Sequence, residues 1–142
     1  MDSKQKIHTT NYTDTFIEVA ADSSAREGKV PAQKGEKKSI AQLQYELISA
    51  HPYEFTSDDV LFQVFAERNG IGRSGYEAAR DIFFSKGQPC LRTSPLTKTH
   101  GFGIHADHNS KIALYSVESP EYKDFINNPG IKKVKAMRTS KK

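Results

Sequence analysis

The chain has 142 residues, of which 36% are hydrophobic and 27% are charged, so it is long enough to bury the core of one globular domain. Its single cysteine, Cys90, excludes an intrachain disulfide framework, and no stretch approaches the ~20 consecutive apolar residues of a membrane helix. The net charge of +4 is concentrated at the C-terminus, since residues 131–142 contain six Lys and Arg residues and no acid. Because residues 1–10 also lack the apolar run of a secretory signal, we expect a cytoplasmic protein with a basic tail.

The first fifty residues predict a strand, a loop and a helix. Residues Thr15–Ala20 are rich in β-forming side chains and predict the first strand. The loop 22–38 contains Ser, Gly and Pro together with five basic residues, and we expect it to be mobile and exposed. Ser39 and Gln42 have the spacing of a capping box, so a helix begins there, and Pro52 ends it.

The segment Thr56–Asn69 has two interpretations. As a helix it begins at an N-cap Thr56 or Ser57, stops at Gly70 and places four apolar side chains on one face: Val60, Leu61, Val64 and Phe65. As a strand it places Val60, Phe62 and Val64 at alternate positions, on one face. The capping residues at both ends favour the helix.

The second half of the chain predicts two helices and a hairpin. Residues Ser74–Lys86 form a helix if Ser74 and Glu77 make a second capping box, and Gly87 is its expected stop. The hairpin has arms 102–106 and 112–117 joined by a polar turn. Ser119 and Pro120 are the N-cap and first residue of a last short helix that ends at 127–130.

Segregated helices and strands predict an α+β fold, with a small antiparallel sheet packed against two or three helices. We expect a single domain over residues 11–130, a flexible N-terminus at 1–10 and the basic tail at 131–142. Strands that alternated with helices throughout would instead predict a parallel sheet.

The segment Phe83–Leu96 contains the densest set of polar side chains in an apolar setting. Its cations, Lys86 and Arg92, would stabilise a thiolate at Cys90, which suggests a reactive thiol or an anion-binding turn. The alternative, which we favour, is that Cys90 is a small buried residue on a strand. Gly87 follows a helix rather than preceding one, so the segment is not a phosphate-binding loop.

Two further groups of residues invite a metal or acid–base interpretation. His100, His105 and His108 lie close in sequence, but positions 105 and 108 would point to opposite faces of a strand, so no metal site is predicted. Asp58 and Asp59 are adjacent acids, which we interpret as residues that favour the N-terminus of a helix. No cofactor is predicted either.

Several stretches together resemble a bacterial family of unknown function. They are HTTNYTDTFIEVA, QYELI, HPYEFTSDDVLF, FFSKGQPCLRTSPL, GFGIHAD, IALYSVES and VKAMR, which span His8 to Arg138. Relatives tend to have tryptophan where this chain has Phe102. The resemblance implies no activity, ligand or catalytic residue.

The residues favour a binding module over an enzyme. A module for an anionic ligand or nucleic acid would use Lys86, Gln88, Arg92 and Lys98, assisted by the basic tail. A homodimer or interaction protein, built on the hairpin edge or the Phe-rich stretch, is the second hypothesis. The third is an enzyme or redox protein with Cys90 as nucleophile, His105 as base and Arg92 as oxyanion partner. No membrane partner is expected.

Overall fold

The structure, a computed structural model, describes residues 8–33 and 35–138. In chain order, nine helices and strands are found in the described part: β1 Thr15–Glu18, α1 Ile40–Ala50, α2 Ser57–Arg68, α3 Tyr76–Phe83, α4 Pro95–Lys98, β2 Phe102–Ala106, β3 Ile112–Ser116, α5 Pro120–Ile126 and β4 Lys132–Lys135. Two 3₁₀ turns, Arg73–Gly75 and Leu91–Thr93, precede α3 and α4.

The four strands form one sheet in the order β3-β2-β1-β4. β1 pairs antiparallel with β2, and β2 pairs antiparallel with β3 through the hairpin, as the sequence predicts. β1 and β4 are parallel, so the sheet is mixed rather than purely antiparallel. The predicted α+β class is confirmed, and the mixed character comes from a strand that the sequence did not predict.

That strand, β4, lies inside the segment predicted as a tail. Residues 132–135 pair with β1, while residues 139–142 lie outside the described part of the chain. β4 is an edge strand, and its exposed Lys132 and Lys135 oppose further strand pairing by charge. The lysine-rich sequence therefore has a structural explanation in addition to any role in binding.

The two faces of the sheet have different coverings. Ile17 and Ile104 pair across β1 and β2 and belong to the main core, where the sheet meets α1, α2 and α4. Phe16 lies on the opposite face and packs against Tyr122 and Phe125 of α5. Gly103 makes this close packing possible, because a Cβ atom there would lie 2.5 Å from the Phe16 ring and 2.7 Å from the Tyr122 ring.

The outer edge of β3 is partly covered by the connection between α1 and α2. The Tyr53 N–H donates to the Ile112 carbonyl, and the Ile112 N–H donates to the Phe55 carbonyl. Tyr53 adopts a left-handed backbone conformation, with φ of 61°, which an aromatic residue rarely adopts. The hairpin edge is therefore less available for pairing with a second chain than the sequence suggested.

Thr9, Thr10 and Asp58 form a contact between the N-terminal segment and α2 that we call the clasp. The Asp58 carboxylate accepts hydrogen bonds from Thr9 Oγ1 at 2.6 Å, from Thr10 N at 2.7 Å and from Thr10 Oγ1 at 2.7 Å. The segment predicted as a flexible N-terminus, 1–10, thus includes two residues, Thr9 and Thr10, that hydrogen-bond to a buried carboxylate. Residues 1–7 lie outside the described part.

The preferred interpretation of Thr56–Asn69 as a helix is confirmed. Thr56 is the N-cap, and its capping box with Asp59 is complete in both directions. The expected apolar face is only partly right, since Val60 and Val64 are buried but Phe65 is 37% exposed. Phe62 is buried instead, because α3 packs against a second side of this helix.

Other local predictions hold at some helix ends and fail at others. Ser39 and Ser119 are the N-caps of α1 and α5, as predicted. Ser74 does not cap α3, because it lies inside the 3₁₀ turn Arg73–Gly75 that precedes that helix. The same helix ends at Phe83, before the predicted stop at Gly87, because side chains of the following residues bind its last carbonyls.

The loop between β1 and α1 has no regular secondary structure and is mostly exposed in the described residues. Backbone contacts in the middle of the loop nevertheless hold it to the body. Gly28 N donates to Glu118 Oε1, and Lys29 N donates to the His100 carbonyl. Pro31 is buried, so the predicted exposure holds for the loop as a whole but not for every residue.

Candidate functional site

A cavity of about 350 Å³ lies between α1, α2 and the segment 83–95, and we call it the groove. From α1 it is lined by Ile40 and Gln44, which are one helical turn apart. Ile40 is 44% exposed, so the apolar lining continues onto the surface. A larger cavity of about 560 Å³ is lined mostly by charges of both signs, with Leu43 its only apolar residue in the described part, and it lacks the apolar character of a small-molecule site.

The second wall of the groove is one stripe of α2. Leu61, Val64, Phe65, Arg68 and Asn69 recur at helical spacing, and all five line the groove. Of the described lining residues, Arg68 alone carries a charge. Its Nη1 donates to the Lys38 carbonyl at 3.4 Å, which places the end of α2 beside the start of α1. The two helices therefore run antiparallel, with Arg68 at one end of the groove.

The third wall comes from the segment that the sequence singled out. Phe83, Gln88, Pro89, Thr93 and Pro95 line the groove, and Ser94 lies between the last two. The segment follows α3 as a loop and then forms the 3₁₀ turn and α4. Of the residues predicted to bind a ligand, this wall contains Gln88.

The deepest polar group in the groove is the amide of Gln44. Gln44 is 3% exposed, and its Oε1 accepts a hydrogen bond of 2.5 Å from Ser94 Oγ. Ser94 Oγ in turn accepts from the Leu96 N–H at 3.1 Å, where it caps α4. No described residue accepts a hydrogen bond from Gln44 Nε2, although this nitrogen belongs to a residue that lines the groove.

The other two amide side chains in the groove have the opposite arrangement. Gln88 Nε2 donates to the Phe83 carbonyl at 2.7 Å, and Asn69 Nδ2 donates to the Phe65 carbonyl at 2.8 Å. Their nitrogens are engaged by the protein, so their oxygens remain for solvent or a ligand. Gln44 alone among these three amides leaves its nitrogen for a ligand.

Of the predicted ligand-binding residues, Gln88 lines the groove, whereas Lys86, Arg92 and Lys98 are not among its described lining residues. Lys86 is exposed on the loop after α3. Arg92 Nε donates to the Lys135 carbonyl at 2.6 Å and so ties the 3₁₀ turn to β4. The structure therefore does not gather these four side chains around the groove.

Cys90 is half-buried and precedes the 3₁₀ turn rather than lying on a strand. Its Sγ lies 3.5 Å from Tyr12 Oη. Burial and this contact with Cys90 raise the pKa of Tyr12, and the nearby Arg92 opposes that rise. No hydrogen bond among the described residues joins Cys90 to His105, the base that the catalytic hypothesis requires.

His105 lies on the other face of the sheet, under α5. Its Nδ1 lies 2.8 Å from Tyr53 Oη, which lies 2.7 Å from Tyr115 Oη, and its ring stacks on Phe125. Burial lowers the pKa of His105 below 6.5, and the charges of Asp107 and Asp14 only partly oppose this. Burial and Tyr115 raise the pKa of Tyr53 well above its ordinary value.

The described residues contain no group of three or more His, Cys, Asp or Glu side chains that could hold a metal ion. No helix in the same part of the chain combines the length and the apolar composition that crossing a membrane requires.

Sequence reasoning missed Gln44 and Arg68 as site residues. Gln44 stands in a helix among alternating polar residues, and its partner Ser94 is fifty positions later in the chain. In the structure, the exposed Phe65 of α2 marks this surface. The sequence offers no such sign, because its apolar pattern predicted that Phe65 is buried. Neither residue belongs to a motif with its own chemistry.

Comparison with known proteins identifies the family but no relative of known activity. The model of a family of unknown function, DUF6157, matches residues 7–142. No curated protein and no solved structure matches the chain. The match confirms the resemblance that the sequence predicts, and because it covers nearly the whole chain, the protein belongs to the DUF6157 family.

Proposed function

We propose that this protein is a binding module whose groove takes a small ligand with an apolar body and an acidic group. The observation that carries the proposal is an apolar groove with one charge, Arg68, in its lining. The cavity volume of about 350 Å³ is within the range of small-molecule sites, ~300–1,000 Å³.

The apolar walls favour the body of such a ligand. Leu61 and Val64 on α2 face the groove together with Phe83 and Pro95 on the opposite segment. A ligand that displaced water from these side chains would gain roughly 25 cal/mol for each Å² of apolar surface buried. Phe65, which is unusually exposed for its size, would lose contact with water in the complex.

The acidic group of the ligand is favoured by Arg68. Its guanidinium donates one weak hydrogen bond to the Lys38 carbonyl, and its remaining N–H groups have no acceptor in the described residues. A guanidinium binds a carboxylate through paired hydrogen bonds, so a carboxylate at this end of the groove would be held in a fixed orientation.

Nucleic acid receives less support as the ligand. In β4, Lys133 Nζ donates to the Asn128 carbonyl and Lys135 Nζ pairs with Glu18 Oε1 at 3.4 Å. These lysines are partly engaged by the protein, and no aromatic residue lies between them for base stacking. A homodimer that covers Ile40 and Phe65 is the other competing proposal, and the same experiment separates all three.

The test is a titration of isotopically labelled protein with octanoate and octanol, followed by NMR. We expect octanoate to shift the resonances of groove residues and to bind more tightly than octanol. Arg68→Gln should weaken octanoate binding about threefold with little effect on octanol. Arg73→Gln, an exposed arginine outside the groove, is the matched control.

Three outcomes would overturn the proposal. If neither compound shifts groove resonances at millimolar concentration, the groove does not bind a ligand of this class. Shifts at Ile40 and Phe65 that depend on protein concentration alone would identify a second copy as the occupant. Binding of a short single-stranded DNA, centred on β4 and weakened steeply by salt, would identify nucleic acid instead.

A further inference from the structure

We infer that the ligand of the groove carries a carbonyl oxygen in addition to its acidic group, and that Gln44 Nε2 is the donor that recognises this oxygen. The inference rests on the proposed function and names the class of ligand within it. The ligand class is an acyl compound with its carbonyl several bonds from the acid, as in an N-acyl amino acid.

The orientation of the Gln44 amide is fixed by Ser94. A serine hydroxyl has one proton to donate, and Ser94 Oγ already accepts from the Leu96 N–H. The structure places Gln44 Oε1, not Nε2, 2.5 Å from Ser94 Oγ, so the hydroxyl donates its proton to the amide oxygen. The nitrogen, with its two donors, is left on the side away from Ser94.

That nitrogen is a buried residue's donor to which no described residue offers an acceptor. Gln44 is almost fully buried, and a buried donor without a partner is costly unless water or a ligand completes it. Among the described residues, Gln42 Oε1 is the only fully enclosed side-chain atom without a partner. Gln44 Nε2, which also has no described partner, therefore keeps access to solvent, and the groove is the cavity that Gln44 lines.

The position of Gln44 sets where the carbonyl lies. The start of α1 is beside Arg68, because Arg68 donates to the Lys38 carbonyl. Gln44 is four residues beyond Ile40, which corresponds to ~6 Å along the helix axis at 1.5 Å per residue. A ligand with its acid at Arg68 thus passes Gln44 a few bonds further along its chain, before its apolar end reaches Leu61.

The Gln44 Nε2 donor determines which kind of acceptor the ligand carries. An amide N–H needs a hydrogen-bond acceptor. A ketone, ester or amide carbonyl provides one, whereas an alkyl chain does not. The N–H of an acyl amino acid can in turn donate to the oxygen of Asn69 or Gln88, whose nitrogens are engaged by backbone carbonyls. An N-acyl amino acid therefore matches donors and acceptors of the groove together.

The experiment compares N-octanoylglycine with undecanoate, an acid of equal chain length without the internal carbonyl. Dissociation constants are measured for the wild type, Gln44→Leu and the matched control Gln63→Leu, which changes a glutamine outside the groove. We expect the preference for N-octanoylglycine over undecanoate to fall about tenfold in Gln44→Leu and to be unchanged in Gln63→Leu.

A second measurement uses the wild type alone. The side-chain amide resonances of Gln44 should shift with N-octanoylglycine and stay in place with undecanoate. Equal preference in wild type and Gln44→Leu, with no movement of the Gln44 amide, would overturn this inference while the proposed function stands. Failure of both acids to bind would overturn the proposed function and this inference with it.

Discussion

Two buried polar groups of this protein, the carboxylate of Asp58 and the amide of Gln44, differ in how completely the chain satisfies them. Asp58 is 8% exposed, and both of its oxygens accept hydrogen bonds from the threonines of the clasp. Gln44 is buried more deeply, yet only its oxygen has a partner in the described residues. The first arrangement holds the N-terminal segment to α2, whereas the second leaves a donor for something outside the chain.

The comparison teaches which buried polar groups indicate function. A polar group whose bonding capacity is filled by the protein contributes to folding, and its removal leaves partners unsatisfied. A half-satisfied group in an apolar groove contributes less to folding and is available for recognition. Stability and binding should therefore respond in opposite ways to changes at Asp58 and Gln44.

The largest expected effect on stability is at Asp58. Asp58→Ala leaves the Thr10 N–H and the Thr9 hydroxyl without the acceptor they use, while the Thr10 hydroxyl keeps only Ser57 Oγ, and we expect a loss of about 3 kcal/mol in the free energy of unfolding. Urea denaturation measures it. Asp81→Ala removes an exposed acid of α3 and should change stability by less than ~0.5 kcal/mol.

Binding provides the other half of that prediction. Asp58 is not among the groove's lining residues, so Asp58→Ala should bind octanoate normally at a temperature where it remains folded. A loss below about 1 kcal/mol would contradict the structural role of the clasp, because a buried carboxylate with three hydrogen bonds would then contribute no more than a surface residue.

A smaller effect is expected at the neighbouring acid, Asp59. Burial raises the pKa of Asp59, but hydrogen bonds from the Thr56 backbone and from Arg80 overcome this and hold the pKa below 3.8. Because the pKa is lower in the folded chain, the ionised carboxylate stabilises the fold above pH 3.8, and this contribution is lost as the pH falls through the folded value. Asp59→Asn should cost about 1 kcal/mol at neutral pH.

The measurement is the difference in unfolding free energy between wild type and Asp59→Asn at several pH values. The difference should shrink below pH 3.8, first as the Asp59 carboxyl of the unfolded chain becomes protonated and then, at lower pH, as that of the folded chain does. A difference that stays constant down to the acid limit of the folded state would show that the capping box does not depend on the charge of Asp59.

His105, on the face of the sheet that packs against α5, is a buried ionisable group whose neighbours only partly offset the effect of burial on its pKa. The pKa of His105 is lowered mainly by burial, so the folded chain binds fewer protons than the unfolded chain just below pH 6.5. Stability contributed by neutral His105 is complete above pH 6.5 and decreases as the pH falls toward the folded pKa. His105→Phe should lessen this decrease in denaturation curves recorded between pH 7 and 5.

The groups that face His105 decide how large that decrease is. Tyr53 and Tyr115 form a hydrogen-bonded chain with the imidazole, while Asp107 and Asp14 favour its protonation. Asp107→Asn removes one favourable charge and should make acidification more destabilising. Identical pH profiles in wild type and His105→Phe would contradict a role of His105 in the acid sensitivity of the fold.

Local signals in the sequence predicted much of the fold. Ser39, Thr56 and Ser119 are helix N-caps whose effect acts within three residues, and the hairpin depends on a short polar turn. Ser74 misled because a 3₁₀ turn absorbed it before α3 began. The local chemistry of a cap is sufficient only where no competing turn precedes the helix.

Features that depend on distant partners were not predictable from local patterns. β4 looks like a charged tail and becomes a strand only by pairing with β1, as the contact between Glu18 and Lys135 across 117 positions illustrates. The candidate site has the same character, since Gln44 acquires its free nitrogen only because Ser94 engages its oxygen. Residues of segment 83–95, which the sequence singled out, line the groove, whereas the helix residues opposite them were not predicted.

The smallest expected effect on stability is at Gln44 itself. Gln44→Leu removes the acceptor of the Ser94 hydroxyl, but it also removes a half-satisfied amide and adds apolar surface facing Leu61 and Val64. These terms oppose each other, so the free energy of unfolding should change by less than about 1 kcal/mol. Urea denaturation under the conditions used for Asp58→Ala gives the direct comparison. A loss as large as that of Asp58→Ala would mean that Gln44 maintains the fold and that its free nitrogen is incidental. A small change, combined with the lost preference for N-octanoylglycine, would separate the two roles, because the same kind of buried polar group would then serve folding at one position and recognition at the other.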